Sequence, residues 1–288
     1  EMAKRWAVAG VGIPVVVGLL YVGGWPLAVL LAAFAALAAL EVYRLAEKAG
    51  TLALHGPGAA LAAGLVLLAG WRPAFTAFAP LALALLGGVT ALALVLAMKV
   101  RWPGGKPLGA VAVTLFGALY AGLSLAMVPL LHALPETRAW SGATASPWGG
   151  LWLVVLPLGA TWLGDALALF GGSAWGKGGL APAISPKKSW VGVWAGLAGA
   201  AIAAVVWFFV ARTVLPGLPV EGPVTAAAVG VVLGIGAIVG DLVESMLKRE
   251  AGVKDSGTFF PGHGGVLDRL DALVFTIPAA YLALVALD

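Results

Sequence analysis

Gly240 to Asp271 reads GDLVESMLKREAGVKDSGTFFPGHGGVLDRLD, a polar island of four Asp, two Glu and four Lys or Arg between two long apolar runs. Each flanking run, residues 223–247 and 268–287, has about the length that spans a bilayer core. The fold follows from that alternation: apolar helices cross a membrane, and the charge collects where they end. On a helix Asp241, Glu244, Ser245 and Lys248 share one face, and Asp268 and Asp271 repeat the spacing on the next helix. A turn built on Pro261, Gly262, Gly264 and Gly265 lies between. The expectation is that Asp241 and Asp268 converge at one membrane surface as metal ligands, and hard oxygen donors of this kind favour Mg²⁺.

The same pattern extends outward. The 288 residues are 61% hydrophobic, only 10% charged and free of cysteine, and the mean hydropathy is +1.02. Disulfides are excluded, and a net charge of +4 gives no footprint for nucleic acid. Apolar runs place helices near 6–22, 25–45, 57–71, 74–98, 107–132, 150–170, 190–214, 223–247 and 268–287. The expected fold is therefore an all-α polytopic integral membrane protein of about nine transmembrane helices. The first run follows Lys4 and Arg5 and leads directly into another apolar run, so it reads as a retained helix.

Nine spans put fourteen of the seventeen Lys and Arg on one side, leaving Arg72, Arg138 and Arg212 on the other. The rich side is expected to be cytoplasmic, and the N-terminus with it. Residues 1–150, rich in Ala, Leu and Gly, read as scaffold, and residues 151–288 as the catalytic part. Glu41, Arg44 and Glu47, at a helix end, read as solvated or snorkelling charges.

Charge accumulates a second time in TWLGDALALFGGSAWGKGGLAPAISPKKSWVG, Thr161 to Gly192. Asp165 lies inside an apolar run, where a carboxylate facing lipid costs about 2.5 to 3.5 kcal/mol, so it reads as functional. Beyond it Gly171, Gly172, Gly176, Gly178 and Gly179 surround Lys177, followed by Ser185, Lys187, Lys188 and Ser189. Small residues let backbone amides approach an anion, Lys supplies charge, and Ser189 is placed to cap the next helix. The composition suits phosphate without being a Walker A loop. His263, between two glycines, suits phosphate binding, proton transfer or a plain structural role in the turn.

Together these residues resemble the membrane-embedded phosphatidate cytidylyltransferases, also called CDP-diacylglycerol synthases. Ser245, Lys248, Arg249, Lys254, Asp255, Pro261, His263, Gly264, Gly265, Asp268, Arg269 and Asp271 match the family pattern S-x-x-K-R-x(4)-K-D-x(5)-P-x-H-G-G-x-x-D-R-x-D. Ile184 to Gly192 is similar to the family's S-P-K-K-[ST]-x-x-G segment, with Val191 where many members carry Glu.

The resemblance implies that CTP and phosphatidate give CDP-diacylglycerol and pyrophosphate, at the cytoplasmic face of a bacterial inner membrane. It also makes a homodimer plausible. Asp241 and Asp268 would hold Mg²⁺, alone or in a two-metal clamp. Ser245, Lys248, Arg249, Asp271 and Asp165 would assist at the reacting groups. Lys177, Ser185, Lys187, Lys188, Ser189, Lys254, His263, Gly264, Gly265 and Arg269 would grip substrate. Other readings are a polyprenol or phytol kinase, an ether-lipid cytidylyltransferase, or an ion or phosphate transporter. The length of the motif disfavours the kinases. Charge crowded on one surface, with no repeated halves, disfavours transport.

Overall fold

The computed structural model describes residues 2–140, 147–260, 262 and 264–288. The helices are α1 Met2–Val22, α2 Gly24–Lys48, α3 His55–Trp71, α4 Phe75–Val100, α5 Pro107–Ala118, α6 Ser124–His132, α7 Leu134–Thr137, α8 Pro147–Trp175, α9 Trp190–Val214, α10 Pro223–Glu250, α11 Leu267–Leu270 and α12 Leu273–Leu287. A π-helical turn, Leu119–Leu123, joins α5 to α6. Two short antiparallel strands, β1 Gly179–Ala181 and β2 Ser185–Ser189, form one hairpin between α8 and α9.

Among the described residues seven helices are long and apolar enough to cross a bilayer, and the chain is an integral membrane protein. The sequence count of about nine also included the runs that form α1 and α3. At 17 residues α3 is roughly 25 Å long, short of a typical 30 Å hydrocarbon core.

The chain forms two compact units, one of residues 1–130 and 247–270, the other of residues 131–246 and 271–288. These units are interleaved along the chain and are a division by packing, distinct from the scaffold and catalytic parts expected on either side of residue 150. Hydropathy locates spans along the chain, but which spans pack together depends on pairings distant in sequence. Helix α10 belongs to the second unit as far as Met246 and to the first from Leu247.

In the first unit the ring of Tyr43, on α2, is fully buried. Its hydroxyl donates to the Thr114 carbonyl oxygen at 2.8 Å. Gly58 of α3 and Gly117 of α5 lie against the ring where any Cβ would collide with it. Thr114 in turn accepts from the Leu54 amide at 2.8 Å, so one buried polar chain joins α2, α5 and the start of α3. Such satisfied contacts are what lets polar atoms sit among apolar helices.

In the second unit α8 and α9 pack through small residues. A Cβ on Gly199 would lie 2.7 Å from the Leu163 carbonyl oxygen, and one on Gly164 would lie 3.2 Å from that of Gly196. The backbones therefore touch, as glycine interfaces in membranes allow. Gly230 of α10 approaches Ala200 and Ala201 in the same way, and the buried hydroxyls of Thr161 and Thr276 meet at 3.3 Å. This packing extends α8 to Trp175, past the expected end at 170. Gly171 and Gly172 are consequently helical and belong to the α8–α9 interface rather than to a phosphate loop. A Cβ on Gly171 would lie 2.8 Å from that of Ala195.

Candidate active site

The second unit contains an open cavity of about 540 Å³ lined by Asp165 and Gly172 of α8, Ser185, Lys187, Lys188 and Ser189 of β2, and Asp241 of α10. Local structure aims each group. Ser189 ends the strand and caps α9, its Oγ accepting from the Gly192 amide at 3.2 Å. Lys188 points back from the strand to α10, where Nζ lies 2.7 Å from Asp241 Oδ2 and 3.5 Å from the Ile238 carbonyl oxygen. Ser245, one turn beyond Asp241, donates to its Oδ1 at 3.3 Å. Lys187 and Lys177 are exposed. Leu169, Val193 and Ile238 also line the cavity, so apolar walls and cations share one space.

Asp241 also belongs to an acidic group with Glu244 and Asp271, one ligand oxygen from each lying within 4.8 Å of the others. Glu244 is buried, at 1% exposure. The Asp271 Oδ1 accepts from the Ala272 amide at 2.7 Å. A Cβ on Gly240 would collide with the Asp271 backbone, so that glycine allows the α10 backbone to reach the start of α12. Three carboxylates this close repel one another when ionised, and a hard divalent cation relieves the repulsion. The trio offers the hard oxygen donors that Mg²⁺ takes, with Lys188 as the neighbouring positive charge.

The first unit contains a different carboxylate arrangement. Asp268 Oδ1 lies 2.8 Å from Lys248 Nζ, and the two side chains are 7% and 15% exposed. Its Oδ2 accepts from the amides of Ser256 at 2.9 Å and Gly265 at 2.8 Å. Gly264 takes φ +83° beside it, in the left-handed region.

The sequence matches the cytidylyltransferase family over residues 3–287. The chain belongs to that family. It is 33% identical over 296 residues to phosphatidate cytidylyltransferase 5, chloroplastic, of Arabidopsis thaliana, covering 96% of this chain and 71% of the relative. The phosphatidate cytidylyltransferase of Synechocystis sp. is 32% identical over 304 residues, 99% of this chain and 97% of the relative. That of Haemophilus influenzae is 42% identical over 136 residues, 47% of this chain and 46% of the relative.

For this cytidylyltransferase the structure groups the residues singled out in the sequence as follows. Asp165, Ser185, Lys187, Lys188, Ser189 and Asp241 line a single shared cavity within the second unit, and Ser245 and Asp271 touch or adjoin Asp241. Asp268, expected to share a metal with Asp241, has its carboxylate engaged by Lys248 and by loop amides; within the second unit, acids at ligand spacing from Asp241 are Glu244 and Asp271. The i, i+3 step from Asp241 to Glu244 already placed the pair on one face. Arg249 is exposed and donates to the Val253 carbonyl oxygen at 3.4 Å, and Lys254 and Arg269 are exposed. His263 lies outside the described residues.

Two buried polar residues were not among the expected site residues. Glu41, expected to be solvated, is 3% exposed, and Ser256 is 6% exposed. Glu41 had a signal in its surroundings: Ala38 and Leu45, three residues before it and four after, are apolar and share its helical face. Glu47 stays partly exposed and lies 2.7 Å from His55 Nε2.

Proposed function

We propose that this protein transfers the cytidylyl group of CTP to phosphatidate, releasing pyrophosphate and forming CDP-diacylglycerol. The observation that carries the reading is the likeness to the Synechocystis phosphatidate cytidylyltransferase over 99% of this chain and 97% of that one. The cavity supports it chemically. It joins apolar walls to Lys187 and Lys188, the combination an amphiphilic phosphate ester needs.

In the reaction a phosphate oxygen of phosphatidate forms a bond to the α-phosphorus of CTP, and the α–β bridging P–O bond breaks. The attacking phosphate is anionic at neutral pH, so the site has to position the reactants and neutralise charge rather than supply a strong base. Lys187 and Lys188 would bind phosphate oxygens, with Lys188 exchanging Asp241 for substrate. Ser245 would fix the Asp241 rotamer. Asp241, Glu244 and Asp271 would hold Mg²⁺, which when bound neutralises triphosphate charge and stabilises the leaving pyrophosphate. We assign Asp268 and Lys248 a role in turnover as well, on the strength of the shared motif. The active face would be cytoplasmic, a reading that the uneven distribution of Lys and Arg supports.

Purified protein with radiolabelled CTP, phosphatidate and Mg²⁺ should yield a chloroform-soluble CDP-lipid. Folded protein that yields none would sink this reading.

A further inference from the structure

Glu41 of α2 accepts hydrogen bonds from the amides of Val266 at 2.9 Å and Leu267 at 2.8 Å, and from Ser256 Oγ at 2.9 Å. All three donors lie more than 200 residues away in sequence, in the segment joining α10 to α11 and at the first residue of α11. The same Ser256 Oγ lies 2.9 Å from Asp268 Oδ2. A hydroxyl has one hydrogen, so it donates to one of the two carboxylates at a time. The two acids are thereby coupled through a single rotor.

The loop is shaped around Glu41. A Cβ on Gly257 or Gly265 would collide with its carboxylate, and a Cβ on Gly264 would lie 2.5 Å from Asp268 Oδ2. Burying a carboxylate is costly unless donors satisfy it, and here the three donors come from the segment that presents Asp268.

We propose that Glu41 is a positioning residue for Asp268, holding through Ser256 and two backbone amides the loop on which Asp268 is presented. The role of Asp268 in turnover belongs to the function proposed above, and in that respect this inference rests on it. The placement itself does not.

The test uses the full chain in detergent with Glu41→Ala, Glu41→Gln, Ser256→Ala and the Glu41→Gln/Ser256→Ala pair. Glu41→Ala should lower kcat roughly 10- to 100-fold, the scale of a small misplacement at a reacting site, with KM for CTP within about threefold of wild type. Glu41→Gln keeps a carbonyl acceptor for the amides and should restore part of kcat. Because Ser256 is the shared link, the double variant should be no slower than the slower single one. Hydrogen exchange at Val266 and Leu267 should accelerate at least about tenfold in Glu41→Ala, as loss of a buried acceptor frees both amides.

Wild-type kcat in Glu41→Ala, multiplying losses in the double variant, or unchanged exchange at both amides would each overturn the proposal. If Glu41→Ala does not fold, Glu41→Gln and Ser256→Ala decide it by the same criteria. If the wild-type protein makes no CDP-lipid, the functional reading falls, and exchange at the two amides alone decides this one.

Discussion

At the scale of single residues, Asp241 is the most heavily connected acid in the cavity. It receives Lys188 and Ser245 and stands within ligand reach of Glu244 and Asp271. Asp241→Asn keeps the shape and removes the charge, so turnover should fall at least about 100-fold, as loss of a group acting on developing charge does. The Mg²⁺ concentration needed for half-maximal rate should rise in any residual activity. Wild-type Mg²⁺ dependence in that variant would remove Asp241 from the metal set. Lys188→Met should cost turnover by roughly 10- to 100-fold, the range for a charge-assisted hydrogen bond, measured as kcat/KM for phosphatidate. Glu47→Ala removes only a partly exposed pair with His55 and should leave kcat within about twofold, since such pairs contribute little.

The elements show which parts of the molecule were legible in the sequence. Helical spans were, because hydrophobic length is a local property. So were Asp165, Lys188 and Asp241, because charge inside or at the end of an apolar run is costly wherever the run packs. The extension of α8 over Gly171 and Gly172 was not: glycine marks a loop or a close helix contact equally well, and only the partner helix decides. Glu41 was not legible as a partner of Ser256, since nothing local in α2 names a loop 215 residues away. The interface of α8 and α9 gives a clean contrast. Gly199→Leu forces a side chain into the α8 backbone and should lower stability by about 1 to 3 kcal/mol, as overpacking does. Gly159→Leu on α8, with nothing within 4 Å of its Cβ position, should leave the thermal midpoint in detergent unchanged. Equal midpoints for the two variants would refute the close packing.

For the whole molecule, charge asymmetry predicts an orientation that the cysteine-free sequence makes simple to measure. Lys254→Cys, at an exposed position, should react with a membrane-impermeant maleimide only after cells are opened. Arg72→Cys, also exposed, should react in intact cells. The reverse pattern would invert the topology and move the active face with it.

Helix α4 is the outlier among the seven, with only 17% of its most apolar window buried inside the protein. Phe78, Ala82, Ala93 and Ala97 pack inward, while Leu83, Leu94 and Met98 are more than half exposed. Most of its surface is therefore left uncovered by the single chain, and the medium that suits such a surface is hydrocarbon. For this helix the choice of surfactant is a choice of folding medium. A short-chain, poorly covering detergent should release α4 before any other span of its unit, and added phospholipid should return it.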